Sequence, residues 1–262
     1  MIRPKVIVAT WNVNSVLARL DVVRRWLAEA RPDVLCMQEV KCTQERFPAA
    51  EFAEAGYHSV VNGQPTYNGV AILSRHKLED VQRGMPTDEE GAHARLVAAR
   101  VKGVAVVNVY VPNGQAVGTD KYRFKLDWLK RLRAFLDEEF WADDEVLLCG
   151  DFNVAPEDRD VHDPEAWRGH VLFSKPERAA IEGVRAWGFE DAFRLHHAEG
   201  GNFSWWDYRQ GAFRRNAGLR IDHIWVSEPL ARRCKRAWID RTPRGWERPS
   251  DHTPVVAEFT KG

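Results

Sequence analysis

In strand after predicted strand of this chain, an apolar, β-branched run ends in a carboxylate, an amide or an imidazole, and no other feature constrains the fold as tightly. Val6-Ile7-Val8-Ala9-Thr10 leads into Trp11-Asn12-Val13-Asn14, and Val34-Leu35-Cys36-Met37 into Gln38-Glu39. The run from Val104 ends in Tyr110-Val111-Pro112-Asn113, and Val146-Leu147-Leu148-Cys149 ends in Gly150-Asp151-Phe152-Asn153. Ile221-Asp222-His223 sits in a further run, and Ser250-Asp251-His252 precedes the last, Val255 to Phe259. Short apolar runs bounded by turn residues read as buried strands. Strand ends along one sheet edge form a rigid rim, where side chains far apart in sequence can meet.

Further strands are expected at His58–Asn62, Gly69–Leu73, Leu96–Val101, Phe189–Phe193, Phe203–Tyr208, Arg220–Val226 and Arg236–Ile239. Between them lie about four helices. One follows Ser15, a candidate cap, with Val16, Leu20, Val23, Trp26 and Leu27 near helical spacing. Others cover Thr43–Ala55, Thr119–Phe140 and Pro176–Trp187. No linker or low-complexity tract interrupts 1–262, so one α/β (α+β) domain of two packed sheets flanked by helices is predicted. The 44% hydrophobic content allows a large core. No Cys-x-x-Cys pair occurs, the apolar run Val6 to Ala9 is too short for a signal peptide, and no stretch approaches transmembrane length. A reducing, cytoplasmic setting without a membrane partner is expected.

The polar residues pool into carboxylates (Glu39, Asp151, Asp222, Asp251), amides (Asn12, Asn113, Asn153) and His252. Oxygen donors of this kind suit Mg²⁺, with Mn²⁺ as a substitute, whereas zinc sites favour clustered His and Cys. There is no phosphate-binding G-x-x-x-x-G-K-[ST] loop, no dinucleotide fingerprint and no G-x-S-x-G elbow. A zero net charge argues against a polyanionic substrate, but it conceals a basic segment. Residues 201–248 carry eleven Lys/Arg against five Asp/Glu, which suits a polyanion on one face.

Ala9-Thr10-Trp11-Asn12-Val13-Asn14-Ser15, Met37-Gln38-Glu39-Val40-Lys41, Tyr110-Val111-Pro112-Asn113-Gly114, Gly150-Asp151-Phe152-Asn153-Val154-Ala155, Gly218-Leu219-Arg220-Ile221-Asp222-His223 and Ser250-Asp251-His252-Thr253-Pro254-Val255 occur in the order of the motifs of a known family. Together they resemble the exonuclease III family of apurinic/apyrimidinic endonucleases, over nearly the whole chain. The resemblance implies the four-layer, DNase I-like sandwich of the endonuclease/exonuclease/phosphatase superfamily. It also implies metal-assisted hydrolysis of double-stranded DNA at abasic sites and blocked 3′ ends, by a monomer.

By that likeness Glu39 is a direct metal ligand, helped by Asn12 and Asp251, with Asp151 and Asn153 also near the metal. Asp151 orients or deprotonates the attacking water, and Asn153 fixes the water or the phosphate. His252, oriented by Asp251, polarises the phosphoryl group, and Asp222 orients the catalytic residues or carries a second metal. Tyr110 and Asn113 contact the phosphate or the leaving oxygen, and Lys41 lies near the DNA backbone. Phe203-Ser204-Trp205-Trp206-Asp207-Tyr208-Arg209 resembles the family's aromatic loop. Trp205 would wall the pocket for an extrahelical sugar, Trp206 would be core, and Arg209, Arg214 and Arg215 would track phosphates.

Residues 158–173 match no family member residue by residue. The balance among abasic cleavage, 3′-exonuclease and 3′-phosphatase activity is therefore open at this stage. Two alternatives stand beside the main reading: a phosphoesterase of the same fold acting on another ester, and a non-catalytic nucleic-acid-binding relative.

Overall fold

The computed structural model describes residues 5–260. Twelve strands form two six-stranded sheets. In chain order they are β1 (Lys5–Asn12), β2 (Val34–Gln38), β3 (His58–Asn62), β4 (Val70–Ser74), β5 (Glu79–Arg83), β6 (Leu96–Val101), β7 (Val104–Tyr110), β8 (Val146–Asp151), β9 (Phe189–Asp191), β10 (Asp222–Ser227), β11 (Cys234–Ile239) and β12 (Val255–Thr260). One sheet has the order β11-β12-β1-β2-β4-β3 and the other β5-β6-β7-β8-β10-β9. The helices are α1 (Leu20–Ala30), α2 (Ala49–Glu54), α3 (Asp120–Glu139), α4 (Pro164–Trp167), α5 (Lys175–Arg185), α6 (Ala212–Arg215) and α7 (Glu228–Ala231).

Side-chain alternation along the strands builds the layers. Val8 of β1, Val34 and Cys36 of β2, Val106 of β7, Leu147 and Cys149 of β8, and Ile224 and Val226 of β10 share one core between the sheets. The alternate residues face outward. Ala9, Trp11, Leu35 and Met37 pack with Val23, Trp26 and Leu27 of α1 and Phe52 of α2. Val107, Leu148 and Trp225 pack with Leu129, Leu132 and Leu136 of α3 and Ile181 and Val184 of α5. Helix, sheet, sheet, helix is the four-layer order expected. Each fully buried aliphatic or aromatic side chain adds about 1.5–3 kcal/mol relative to exposure.

The inward row has a consequence for function. Val8, Thr10 and Asn12 share a side of β1; Leu147, Cys149 and Asp151 share a side of β8; Asp222, Ile224 and Val226 share a side of β10. The inter-sheet core therefore turns polar at one end. A buried amide layer marks the change: Gln38 Nε2 donates to Thr10 Oγ1 (2.9 Å) and to Asn108 Oδ1 (2.7 Å) across the sheets. Asn108 Nδ2 donates to the carbonyls of Met37 and Ala71.

Several predicted elements are corrected. Phe203–Tyr208 is a loop, because the Ser204 and Trp205 amides both donate to Leu219 O and Trp205 makes only isolated bridges, to Leu219 and His252. Ser15 lies in the left-handed region and its hydroxyl accepts from the Ala18 amide, so it stabilises a turn, and α1 starts at Leu20. Pro48 confines the helix predicted over 43–55 to α2, since the residue before proline avoids helical backbone. The edge strand β5 is almost wholly exposed and carries no apolar run to announce it. Among the described residues no helix is long and apolar enough to cross a membrane.

Candidate active site

Sheet direction gathers the polar residues. β1 runs parallel to β2, and β7 parallel to β8, so Asn12, Glu39, Tyr110 and Asp151 end at the same edge. β10 runs antiparallel to β8 with Asp222 opposite Asp151, and β12 antiparallel to β1, so His252 enters from that edge too. Gly150 makes the close β7–β8 approach possible: with φ at +145°, a Cβ there would lie 1.9 Å from Val109 O.

Asn12 Nδ2 bridges two carboxylates, donating to Glu39 Oε1 (2.8 Å) and Asp151 Oδ2 (2.9 Å). Its Oδ1 accepts from the Asn14 amide. Asn12 thus turns a donor toward the carboxylates and clamps them; the expected role as a metal ligand does not fit this orientation. Lys41 Nζ lies 2.8 Å from Glu39 Oε2 and donates to Asn14 Oδ1 at 2.6 Å. Burial works against the Glu39 charge, but Lys41 and Asn12 outweigh it, and its carboxyl is held below the usual range.

Asp151 Oδ1 accepts from the Asn153 amide (2.9 Å), and Oδ2 accepts from Asn153 Nδ2 (3.2 Å) as well as from Asn12. Asn153 also donates to Val111 O, and its Oδ1 accepts from Asn113 Nδ2 at 3.1 Å. Burial, together with the Asp222 charge, pushes Asp151 up to about 7 against the opposing pull of His252 and Asn12.

His252 Nδ1 donates to Asp222 Oδ2 at 2.8 Å, and Asp222 Oδ2 also accepts from Ser204 Oγ at 2.6 Å. This leaves His252 Nε2 turned to the site, 3.8 Å from Asp151 Oδ2. Burial opposes the imidazolium, yet Asp222 and Asp151 push His252 up to about 10. Asp251 faces elsewhere, accepting from Trp205 Nε1 on Oδ2 and from Asn14 Nδ2 on Oδ1, each at 3.0 Å. The carboxylate that orients His252 is therefore Asp222, not Asp251, whose side chain is taken up by the Trp205 loop.

Donor atoms of Glu39, Asp151 and His252 lie within 4.8 Å of one another. The oxygen donors of this cluster are the carboxylates of Glu39 and Asp151, and His252 adds an imidazole nitrogen. Tyr110 lies beside them, its phenol raised well above the ordinary range by burial and by the charges of Glu39 and Asp151.

The sequence profile of the endonuclease/exonuclease/phosphatase family matches residues 9–252. Exodeoxyribonuclease III of Haemophilus influenzae is 35% identical, over 95% of this chain and 98% of its own length. This chain belongs to the exonuclease III family. Among solved structures, an AP endonuclease from Archaeoglobus fulgidus superposes with a TM-score of 0.94 at 41% identity, covering 98% of this chain and all of that one. A 3′ phosphatase from Neisseria, bound to a product DNA hairpin, gives 0.94 at 43% identity, covering 97% of this chain and 99% of that one.

Within this exonuclease III family site, Asn12, Glu39, Lys41, Tyr110, Asn113, Asp151, Asn153, Asp222 and His252 come together, with Asp251 and Trp205 at the margin. Trp205 is half-buried against Ala155, Val161, Leu219 and Ile221, whereas Trp206 is fully buried. Arg209, Arg214 and Arg215 stand apart on an exposed turn and α6, and the Arg209 guanidinium is engaged by Asp207 at 2.7 Å. The unmatched segment 158–173 lies beside the Trp205 loop: Val161 bridges Leu219, and His162 Nδ1 contacts Gly218 O.

Three residues escaped the sequence reading. Ser204 holds Asp222. Arg95 lies over the Tyr110 ring at 4.8 Å and donates to Tyr110 O. Asn14 joins Lys41 to Asp251. Asn14 and Ser204 fall inside quoted motifs, two residues beyond Asn12 and one before Trp205, whereas Arg95 falls in none.

Proposed function

We propose that this chain is a DNA-repair phosphodiesterase, a 3′–5′ exonuclease and apurinic/apyrimidinic endonuclease that hydrolyses double-stranded DNA at abasic sites and blocked 3′ ends. It acts as a monomer in the cytoplasm. The observation that carries this reading is the convergence of Glu39, Asp151 and His252, with donor atoms within 4.8 Å of one another, at the polar end of the inter-sheet core. Relatives of nearly equal length named as exodeoxyribonuclease III, AP endonuclease and DNA-bound 3′ phosphatase support DNA as the substrate.

The donor set fits a hard divalent cation: Glu39 stays ionised, and Asp151 adds a second oxygen donor within reach. Mg²⁺, or Mn²⁺ in its place, would be held by Glu39 and Asp151. When bound it would supply Lewis-acid charge at the phosphoryl oxygens. Asp251 and Asn153 are farther candidates, through water.

The side chains divide the remaining work. His252, kept charged by Asp222, donates from Nε2 to a non-bridging phosphoryl oxygen and offsets the charge that develops there. Asp151, held in place by Asn12 and Asn153, takes the proton of the attacking water. Asn153 and Asn113 hold the water and the phosphate in line. Tyr110, neutral and buried, offers its O–H toward the leaving oxygen. Trp205 walls the space for the extrahelical sugar; flipping it costs little, because an abasic site has no base to unstack. Lys41, Arg209, Arg214 and Arg215 contact flanking phosphates.

A duplex bearing one abasic-site analogue tests the proposal. A nick at the lesion is expected with Mg²⁺ and none after chelation. Turnover of a soluble phosphate ester without any nick would overturn it and favour a same-fold phosphoesterase.

A further inference from the structure

Behind the site, on α3, lies a lysine with no access to solvent. Lys125 Nζ donates to the backbone carbonyls of Asn153 (2.6 Å) and Asn113 (3.2 Å), and its third proton goes to Glu177 Oε1 of α5. Both side chains of this pair are fully buried. Three N–H bonds meet three acceptors, so the ammonium is completely satisfied. Gly114 leaves room for it: a Cβ there would stand 3.1 Å from Lys125 Cδ.

The carbonyls that Lys125 holds belong to two residues whose side chains meet each other, and that of Asn153 also meets Asp151. Asn153 sits at φ 48°, in the left-handed region, a conformation that needs support from its surroundings. Its carbonyl is pinned by Lys125, while its side chain is spread over Asp151, Val111 and Asn113. Glu177 continues the connection outward. Its carboxylate accepts from the Leu172 amide (3.0 Å), the Ser174 amide (3.1 Å) and Ser174 Oγ. Leu172 is itself at φ 77°. One buried ion pair thus joins the two site asparagines to the end of the segment 158–173.

A buried pair of this kind is a poor means of gaining stability, since apolar residues of similar volume often do as well or better. Its geometry points to another use. We propose that Lys125 is a positioning residue for phosphodiester hydrolysis. It fixes the Asn113 and Asn153 backbones so that the Asn153 side chain, itself held by Asn113, holds Asp151, and it ties that placement to the 172–174 turn through Glu177. The proposal rests on the roles given above to Asn113, Asn153 and Asp151.

The test is the double variant K125M/E177Q, which removes both charges together and keeps a side-chain acceptor at the Leu172 and Ser174 amides. Melting and steady-state nicking of the abasic-analogue duplex at saturating Mg²⁺ are measured beside wild type and Asn153→Ala. A melting temperature close to wild type with kcat lowered by about 10²-fold, at little-changed KM, is expected for a misplacement of order 1 Å. A folded double variant with native kcat overturns the proposal. Should the double variant fail to fold, Lys125→Met alone is expected to lower kcat at little-changed KM, and Lys125→Arg, which keeps the charge and its donors, to restore part of it; native kcat in Lys125→Met overturns the proposal. Native turnover in Asn153→Ala would instead remove the asparagine role on which the proposal rests.

Discussion

His252 Nδ1 and Asp222 Oδ2 lie 2.8 Å apart, although thirty residues separate them in the chain. Asp251, the sequence neighbour of His252, makes no part of that bond. The pair fixes the ring orientation of His252 and holds its charge, and Ser204 holds Asp222 in turn.

Asp222→Asn therefore removes both orientation and charge retention. Turnover at pH 7 is expected to fall by about 10⁴-fold, the scale seen when an analogous orienting carboxylate is neutralised. The sign of the pH effect follows from the raised pKa. His252 is charged below about 10 and loses its proton above that, so kcat of the native enzyme declines as pH rises through that region. In Asp222→Asn the alkaline limb moves to lower pH. A pH–rate profile checks this, and an unmoved limb would assign it to another group.

Asp151→Asn separates catalysis from folding. Turnover is expected to drop about 10²- to 10⁴-fold with the loss of general-base assistance, while DNA affinity stays near native. Stability shifts in the opposite sense. Because the folded-state pKa of Asp151 is raised to about 7, its contribution to stability is fully present below the unfolded carboxyl pKa and is lost as pH rises through about 7. In the metal-free protein, Asp151→Asn should melt above wild type at pH 8, and the gain should vanish toward pH 4. Calorimetry at the two pH values reads the difference.

Glu39→Gln keeps the size of the side chain and its reach to Asn12, but discards the charge that Lys41 stabilises. The Mg²⁺ concentration for half-maximal rate is expected to rise by at least about 10- to 100-fold. Calorimetric titration with Mn²⁺ should show the same loss. Unaltered Mn²⁺ affinity would move the cation away from Glu39.

Arg220 lies fully buried between Asp160 (2.7 Å) and Asp191 (2.8 Å), directly behind Asp222 on the chain. Burial works against both carboxylates, but Arg220, joined by Arg194 at Asp160, holds both below the usual range. Arg220→Met leaves Asp191 without its arginine and Asp160 with Arg194 alone, and should cost about 3–5 kcal/mol in urea unfolding. The defect is expected to shrink as pH falls, because the carboxyls then take up protons.

The strands and their polar ends were legible because period-two alternation and turn residues are local signals. Parity alone places Asn12, Asp151 and Asp222 on the inward side of β1, β8 and β10. What stayed hidden depends on contacts between distant segments. Nothing near Asp251 or His252 shows that one turns to Trp205 and the other to Asp222, and Ser204 reads as an ordinary loop serine. Lys125 looks like one more charge on an amphipathic helix until α5 covers it. The 203–208 run has the composition of a strand, but its amides converge on the single carbonyl of Leu219.

Trp205 and Trp206 are adjacent, yet they should fail in different ways. Trp205 is half-buried and its Nε1 donates to Asp251, so Trp205→Ala should leave the fold standing. It should also weaken the preference for the abasic analogue over undamaged duplex by about 1–3 kcal/mol, the scale of one aromatic stacking contact. Trp206 is sealed in a small core with Phe203 and Ala212, its ring against Phe213 at 5.0 Å. Trp206→Ala should therefore cost about 3–5 kcal/mol of stability, with lesion preference kept in the fraction that remains folded. Competition binding for the first variant and urea unfolding for the second measure the two effects. The reverse pattern would place the lesion pocket on the other face of the loop.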